Sequence, residues 1–175
     1  FCDTHKISVY NFFMAVYSLY ISRISHLNDF TIGTPILNRT NFDQKHTIGM
    51  FISIAPLKIT LQEETSFADF AKEISTNTMS IFRHQKYSYQ TILEDIRKKS
   101  PSIPSLYNIL LSYQITKTTE DSNGVHYYTD WTFNGNSSDE LQIHLFDLNE
   151  KNLTVAYDYK SNLFSSDEIA HLHTR

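Results

Sequence analysis

Residues 106–115 read LYNILLSYQI, a near-continuous apolar run closed on one side by the proline-marked KSPSIPS and on the other by the polar KTTEDSNG. An apolar run this short, bounded by turn-forming residues, is what a central buried strand looks like. Such a strand constrains the rest of the chain. Other strands must pair with it, and helices must cover the sheet they make. The flanking sequence supplies both.

Upstream, ISVYNFFMAVYSLYISRI (residues 7–24) repeats apolar residues at spacings of three and four. Val9, Phe12, Phe13, Val16, Leu19, Tyr20 and Ile24 predict a long helix with a broad, deeply packed face, and Ser8 is placed to cap it. FTIGTPILN (30–38) reads as a strand; Pro35 marks an edge or an irregular end, because proline donates nothing to a ladder. A wet loop over 39–47 follows. Residues 48–61 then read as a second strand, bent at Pro56, with Met50, Phe51, Ile52 and Ile54 expected in the core. TSFADFAKEISTNTMSIFRHQ (65–85) predicts a helix with Phe67, Phe70, Ala71, Ile74, Thr78, Ile81 and Phe82 on one face and Ser66 with Asp69 as a capping box. YQTILEDIRKK (89–99) predicts a shorter helix after Ser88. Downstream, VHYYTDWTF (125–133), LQIHLFDL (141–148) and LTVAYDYKSNLF (153–164) read as strands, and Ser165 with Glu168 caps a last helix. This order predicts an α/β fold, a mixed sheet covered by helices on one face, in a single domain over residues 1–175.

Composition narrows the function classes. With 175 residues, 41% of them hydrophobic, the chain can bury a core. Its net charge of −4, with no basic stripe, argues against a nucleic-acid partner. Cys2 is the only cysteine, so no internal disulfide forms, which fits a reducing cytoplasm. No apolar run reaches the roughly 18 residues of a membrane span. CDTH (2–5) and HLH (171–173) each hold fewer ligands than a structural zinc needs, so no metal is expected. The chain opens at Phe1 directly into amphipathic sequence, and we expect it to be a piece of something longer.

Five blocks in unbroken order carry a resemblance: FTIGTPILNRT, HTIGMFISIAPLKI, FRHQKYSYQTILEDIR, LYNILLSYQ and FDLNEKNLTVAYDYKSNLFSSDEIAHL. Together they resemble the C-terminal half of a condensation domain of nonribosomal peptide synthetases, a family with a chloramphenicol-acetyltransferase-like fold. The family's His-His-x-x-x-Asp-Gly signature lies in the N-terminal half and is absent here. The one His-x-x-x-Asp spacing, His126 to Asp130, has valine before it and tryptophan after it. Strand alternation alone puts residues i and i+4 on one face, so we read His126 as a solvent-facing histidine and assign no catalytic residue. The family's Arg-Asn-Pro-Leu block is also altered, reading PSIPSLYNIL, which leaves the subtype open.

The resemblance implies an amide-forming acyltransferase in which carrier proteins deliver a donor acyl or peptidyl thioester and an acceptor aminoacyl thioester to the two ends of a tunnel. Alignment of two tethered substrates supplies effective molarity, the amine must lose a proton, and the oxyanion needs donors. The chain would bind no cofactor directly, since phosphopantetheine arrives on the carriers. Its implied partners are the N-terminal half of the domain, peptidyl carrier proteins and an adenylation domain of the parent chain. What this half would supply is one tunnel wall. Gly49, lacking a side chain, would let a pantetheine arm pass, and Ser53 would place a hydroxyl near the reaction centre. A bulge glycine and a backbone-bonded serine are the plainer alternatives. Ser112 and Gln114, polar on an apolar strand, either face the tunnel or make ordinary edge contacts. His84 reads as a helix-end histidine, and residues 132–142 fall where the family has a tunnel-floor loop.

Two other functions fit the same sequence: a non-catalytic module of this fold that holds carrier proteins or acyl chains, and an unrelated α/β ligand-binding domain. A half domain would also expose an apolar face, so dimerisation or limited solubility is expected of the isolated chain.

Overall fold

The computed structural model describes residues 1–115, 132–149 and 152–174. The expected strand over 125–133, with His126 and Asp130, and the connection NEKN lie wholly or partly outside these residues. Two compact units are formed, Phe1–Asn108 and Ile109–Arg175.

The first unit opens with a single helical turn, α1 (Cys2–His5), and the long α2 (Val9–Ser25). Ser8 caps α2 as its sequence suggests, its Oγ accepting from Asn11 N at 3.1 Å. The buried stripe is not the one expected. Asn11, Met14, Ala15, Tyr17, Ser18, Ile21 and Ser22 lie deepest, while Val9 and Ile24 are 37% and 62% exposed. Small residues at Ala15, Ser18 and Ser22 let neighbours approach the helix closely, and the large aromatics flank that seam. Phe12 packs edge-on to Phe67 with ring centroids 5.8 Å apart.

Strand β1 (Asp29–Ile36) pairs antiparallel with β2 (Ser53–Thr60), in a register that sets Ile32 against Leu57 and Thr34 against Ala55. Between them lies the five-residue helix α3 (Phe42–His46). Period-two burial of Ala55, Leu57 and Ile59 shows why β2 is a strand. Pro35 sits one residue from the end of β1, where a missing N–H matters least. Helix α4 (Phe67–Arg83) buries Phe70, Ala71, Ile74 and Thr78 and packs along α2 and β2. Ser66 caps it reciprocally, accepting from Asp69 N at 3.2 Å and donating to the Asp69 carboxylate at 2.7 Å. Helix α5 (Tyr89–Arg97), capped by Ser88, buries Leu93 and also packs on β2.

One expectation for this unit fails. β2 starts at Ser53, not at Ile48, and the residues before it are not core. Met50 is 91% exposed and Ile52 56% exposed, while Phe51 and Ile54 are half-buried. The loop ahead of Ser53 is instead tied to Arg39, whose guanidinium donates to the carbonyls of Gln44, Thr47 and Gly49.

The second unit is a mixed sheet. β3 (Ile109–Ile115) runs parallel to β4 (Leu141–Asn149), which pairs antiparallel with β5 (Asn152–Tyr159); α6 (Ser166–Thr174) follows and buries Ile169. The apolar run that predicted a central strand buries Leu110, Leu111 and Ser112, and β4 buries Leu141, Ile143, His144, Leu145 and Phe146. Burial of consecutive residues means both faces of β4 are covered. Ser165 and Glu168 form the expected capping box, with Ser165 N donating to Glu168 Oε2 at 2.8 Å and Glu168 N to Ser165 Oγ at 3.3 Å.

Candidate functional site

In the first unit the residues of interest lie on the loop that enters β2. Gly49 has φ +147°, a backbone region that L side chains rarely adopt. A Cβ placed there would meet only the Phe51 ring, at 3.8 Å. Backbone conformation is therefore reason enough for the glycine, and the space beside it is open. Ser53 is the first residue of β2, half-buried and in register with Ile36. The loop is held by side chains. Arg39 Nη1 donates to Gln44 O and, at 2.8 Å, to Thr47 O; Nη2 donates to Gly49 O at 2.7 Å. The same guanidinium lies 4.2 Å from the centroid of the Phe51 ring. Around this anchor Leu37, Phe42, Ile48, Met50 and Ile52 stand exposed, Ile48 completely.

In the second unit, Ser112, His144 and Asp158 sit on three successive strands and meet in the interior. Ser112 Oγ lies 2.7 Å from His144 Nδ1, and His144 Nε2 lies 3.2 Å from Asp158 Oδ2. Burial pushes the His144 imidazole below its ordinary pKa, and the Asp158 carboxylate opposes that shift. The neutral ring then carries its proton on Nε2 toward Asp158, so Nδ1 accepts the Ser112 hydroxyl proton. The arrangement has the residue types of a nucleophile relay, but its side chains are closed to substrate: His144 and Asp158 side chains are 5% and 10% exposed, and Ser112 is 5% exposed. Its chemistry is that of a buried cross-strand network. Ser112 has this partner inside its own unit. Gln114 is half-buried near the end of β3, opposite Phe146. Beside it, Tyr113 donates to Asp147 Oδ2 at 2.8 Å.

Other sequence candidates are placed as follows. His84 terminates α4, its N–H bonded to Ile81 O at 3.0 Å, which is a helix-end role. Residues 132–140 are irregular and largely exposed, tied at their end by Lys160 Nζ to Ser138 O at 3.0 Å. Among the described residues no group of three or more His, Cys, Asp or Glu could hold a metal, and no helix is long and apolar enough to cross a membrane. Sequence reasoning missed His144, Asp158, Arg39 and Gln44. A signal for the first existed: His144 is one of two polar residues, with Gln142, in the otherwise apolar run Leu141–Phe146, and polar groups on buried strands require partners.

The condensation-domain family profile matches residues 1–175. The chain belongs to this family, as found in nonribosomal peptide synthetases, and the unrelated ligand-binding reading is set aside. It is 33% identical to surfactin synthase subunit 1 of Bacillus subtilis (strain 168) over 170 residues, covering 97% of this chain and 5% of that protein. It is 30% identical to a plipastatin synthase of the same organism over 175 residues, covering 99% of this chain and 7% of that protein. Among solved structures it matches the first condensation domain of the CDA synthetase with a TM-score of 0.74 at 15% identity, covering 99% of this chain and 39% of that one. The condensation domain from the Monacolin K polyketide synthase MokA matches with a TM-score of 0.79 at 19% identity, covering 99% of this chain and 41% of that one. The fold is therefore that of condensation domains, chloramphenicol-acetyltransferase-like, and the chain spans about two fifths of their length.

Proposed function

We propose that this chain is the C-terminal half of a condensation domain that joins a carrier-bound donor acyl or peptidyl group to a carrier-bound acceptor amine, within a cytoplasmic synthetase. The observation that carries the reading is the pairing of full-length family membership with a missing signature: residues 1–175 match the family, yet no His-His-x-x-x-Asp-Gly occurs in them. The proton-handling histidine would come from the N-terminal half, and this chain alone would be inactive. Phosphopantetheine, carried by partner proteins, supplies the activated thioester. The chain's own contribution is shape. Open space beside Gly49 admits a thin substrate arm, while Ser53 and Gln114 offer polar groups without charge. Ser112 is the fourth candidate for the tunnel wall, its hydroxyl bonded to His144. Leu37, Phe42, Ile48, Met50 and Ile52 are exposed on and beside the loop that enters β2, and would offer apolar surface for the N-terminal half to cover and for the isolated chain to self-associate through.

The test uses the parent synthetase module with loaded donor and acceptor carriers, following amide formation by mass spectrometry. Product from the intact module, and none from this chain alone, is the expected result. Amide formed by the chain alone would sink the half-domain reading. Carrier binding without product in the intact module would favour the non-catalytic alternative, as would an intact parent gene without the signature.

A further inference from the structure

The loop between β1 and β2 is held by side chains, and Gln44 is where they converge. Its Oε1 accepts three donors: Thr40 N at 2.9 Å, Thr40 Oγ1 at 3.1 Å and Lys86 Nζ at 3.2 Å. Its own N–H donates to Asn41 Oδ1 at 2.8 Å, and its carbonyl accepts from Arg39. Lys86 also donates to Asn38 O at 3.0 Å, just past the end of β1, where Asn38 takes the left-handed φ of +53°. Lys86 belongs to the turn after α4, more than forty residues away in sequence. One ammonium and one amide thus tie the exit of β1 to the short α3, and the Arg39 guanidinium links the Gln44 carbonyl of α3 on to Thr47 and Gly49, in the segment that leads to Ser53. A helix of five residues cannot hold itself, so α3 depends on these bonds.

We propose that Gln44 and Lys86 are positioning residues for the amide-forming reaction. They fix the course of residues 47–53, so that Gly49 and Ser53 present one geometry to the substrate arms. The inference rests on the function proposed above. Lys86 is exposed and Gln44 half-buried, and the bond between them lies in exposed surroundings, where such bonds contribute little to global stability. Geometry is the larger effect: a shift of about 1 Å in a positioning element can cost about a hundredfold in rate. Rate should therefore respond more than stability.

The experiment compares Q44M, K86M, Q44M/K86M and Q44E in the intact synthetase module with loaded carriers. Q44M and K86M are each expected to lower kcat and kcat/KM together by about tenfold, the signature of an interaction needed in the transition state. The double variant should lose less than the product of the two single losses, because the Gln44–Lys86 bond is shared between them while Gln44 also holds Thr40 and Lys86 also holds Asn38. Q44E should retain turnover, since a carboxylate accepts the same three donors, and cleavage within residues 40–52 by a limiting protease should rise in Q44M but not in Q44E. Unchanged turnover in both Q44M and K86M, additive losses in the double variant, or a Q44E as slow as Q44M overturns the proposal. If Q44M does not fold, K86M and Q44E carry the comparison. A wild-type module that forms no amide overturns the preceding reading of function instead, and this inference with it.

Discussion

His144 Nε2 approaches Asp158 Oδ2 to 3.2 Å while its Nδ1 holds the Ser112 hydroxyl at 2.7 Å, so one imidazole joins three strands of the second unit. Ser112 and His144 are register partners in the parallel pair β3–β4, whereas Asp158 pairs with Gln142, two residues before His144. The carboxylate thus reaches diagonally along the sheet, within the range of cross-strand neighbours.

That geometry fixes a pH dependence. Burial holds the folded-state pKa of His144 below the ordinary 6.5, so over that interval the unfolded chain binds more protons. Stability from this group is complete above 6.5 and is lost as pH falls through the folded value. Exposed carboxylates act in a separate, more acidic window. Asp69 is held below the ordinary range by the Ser66 hydroxyl, and Glu168 by the Ser165 backbone N–H, so their contributions disappear only as pH falls below 3.8 and 4.5 respectively. Urea midpoints measured from pH 8 to pH 5 should decline, and His144→Gln should flatten that decline. An unaltered slope in the variant would show that another histidine carries it.

Two glycines in the first unit should fail for different reasons when replaced by alanine. A Cβ on Gly33 would stand 2.6 Å from Tyr107 Cε2 and 2.7 Å from its Cδ2, far inside contact distance. That ring also packs against Tyr89, at 5.3 Å between centroids, and cannot move freely. Gly33→Ala should cost about 1–3 kcal/mol through overpacking, and Tyr107→Val should relieve part of it. Gly49→Ala meets no comparable obstacle, so its cost, of order 1–3 kcal/mol, comes from backbone strain at φ +147° and no trimming of Phe51 should recover it. Chemical denaturation of the four single and two double variants decides between the mechanisms; recovery of Gly49→Ala by Phe51→Ala would contradict the backbone account.

The contrast between these glycines shows what a sequence can disclose. Caps at Ser8, Ser66 and Ser165 were legible because a hydroxyl and the N–H three residues on are local partners. The buried core of β3 was legible from its apolar run. The loop ahead of β2 was not. Ile48, Met50 and Ile52 look like strand residues by composition, yet they stand exposed in a loop tied to Arg39, ten residues from the Gly49 carbonyl it binds. Long-range ties of that kind leave no periodicity. On α2 the apolar pattern identified the helix but misplaced its deepest stripe, since Ala15, Ser18 and Ser22 are buried by virtue of their small size. The candidate site divides the same way: Gly49 and Ser53 could be singled out in sequence, whereas the Gln44–Lys86 bond and the His144–Asp158 pair exist only once the chain is folded.

Two buried hydroxyls should respond in opposite senses when removed. Thr78 is 2% exposed on α4, and its Oγ1 has no hydrogen-bond partner among the described residues. Leaving such a group desolvated costs about 1–3 kcal/mol, and replacing it by a methyl of similar shape removes that cost. Thr78→Val should therefore stabilise the fold by about 1 kcal/mol, which for a chain of this size raises the melting midpoint by about 2–4 °C. Ser112 is equally buried but bonded to His144. Ser112→Ala strands the imidazole Nδ1 and should destabilise by about 1–3 kcal/mol. Urea unfolding at constant m-value measures both. A destabilised Thr78→Val would mean that its hydroxyl is bonded in solution, and a neutral Ser112→Ala would mean that the serine–histidine bond contributes nothing to holding β3 against β4.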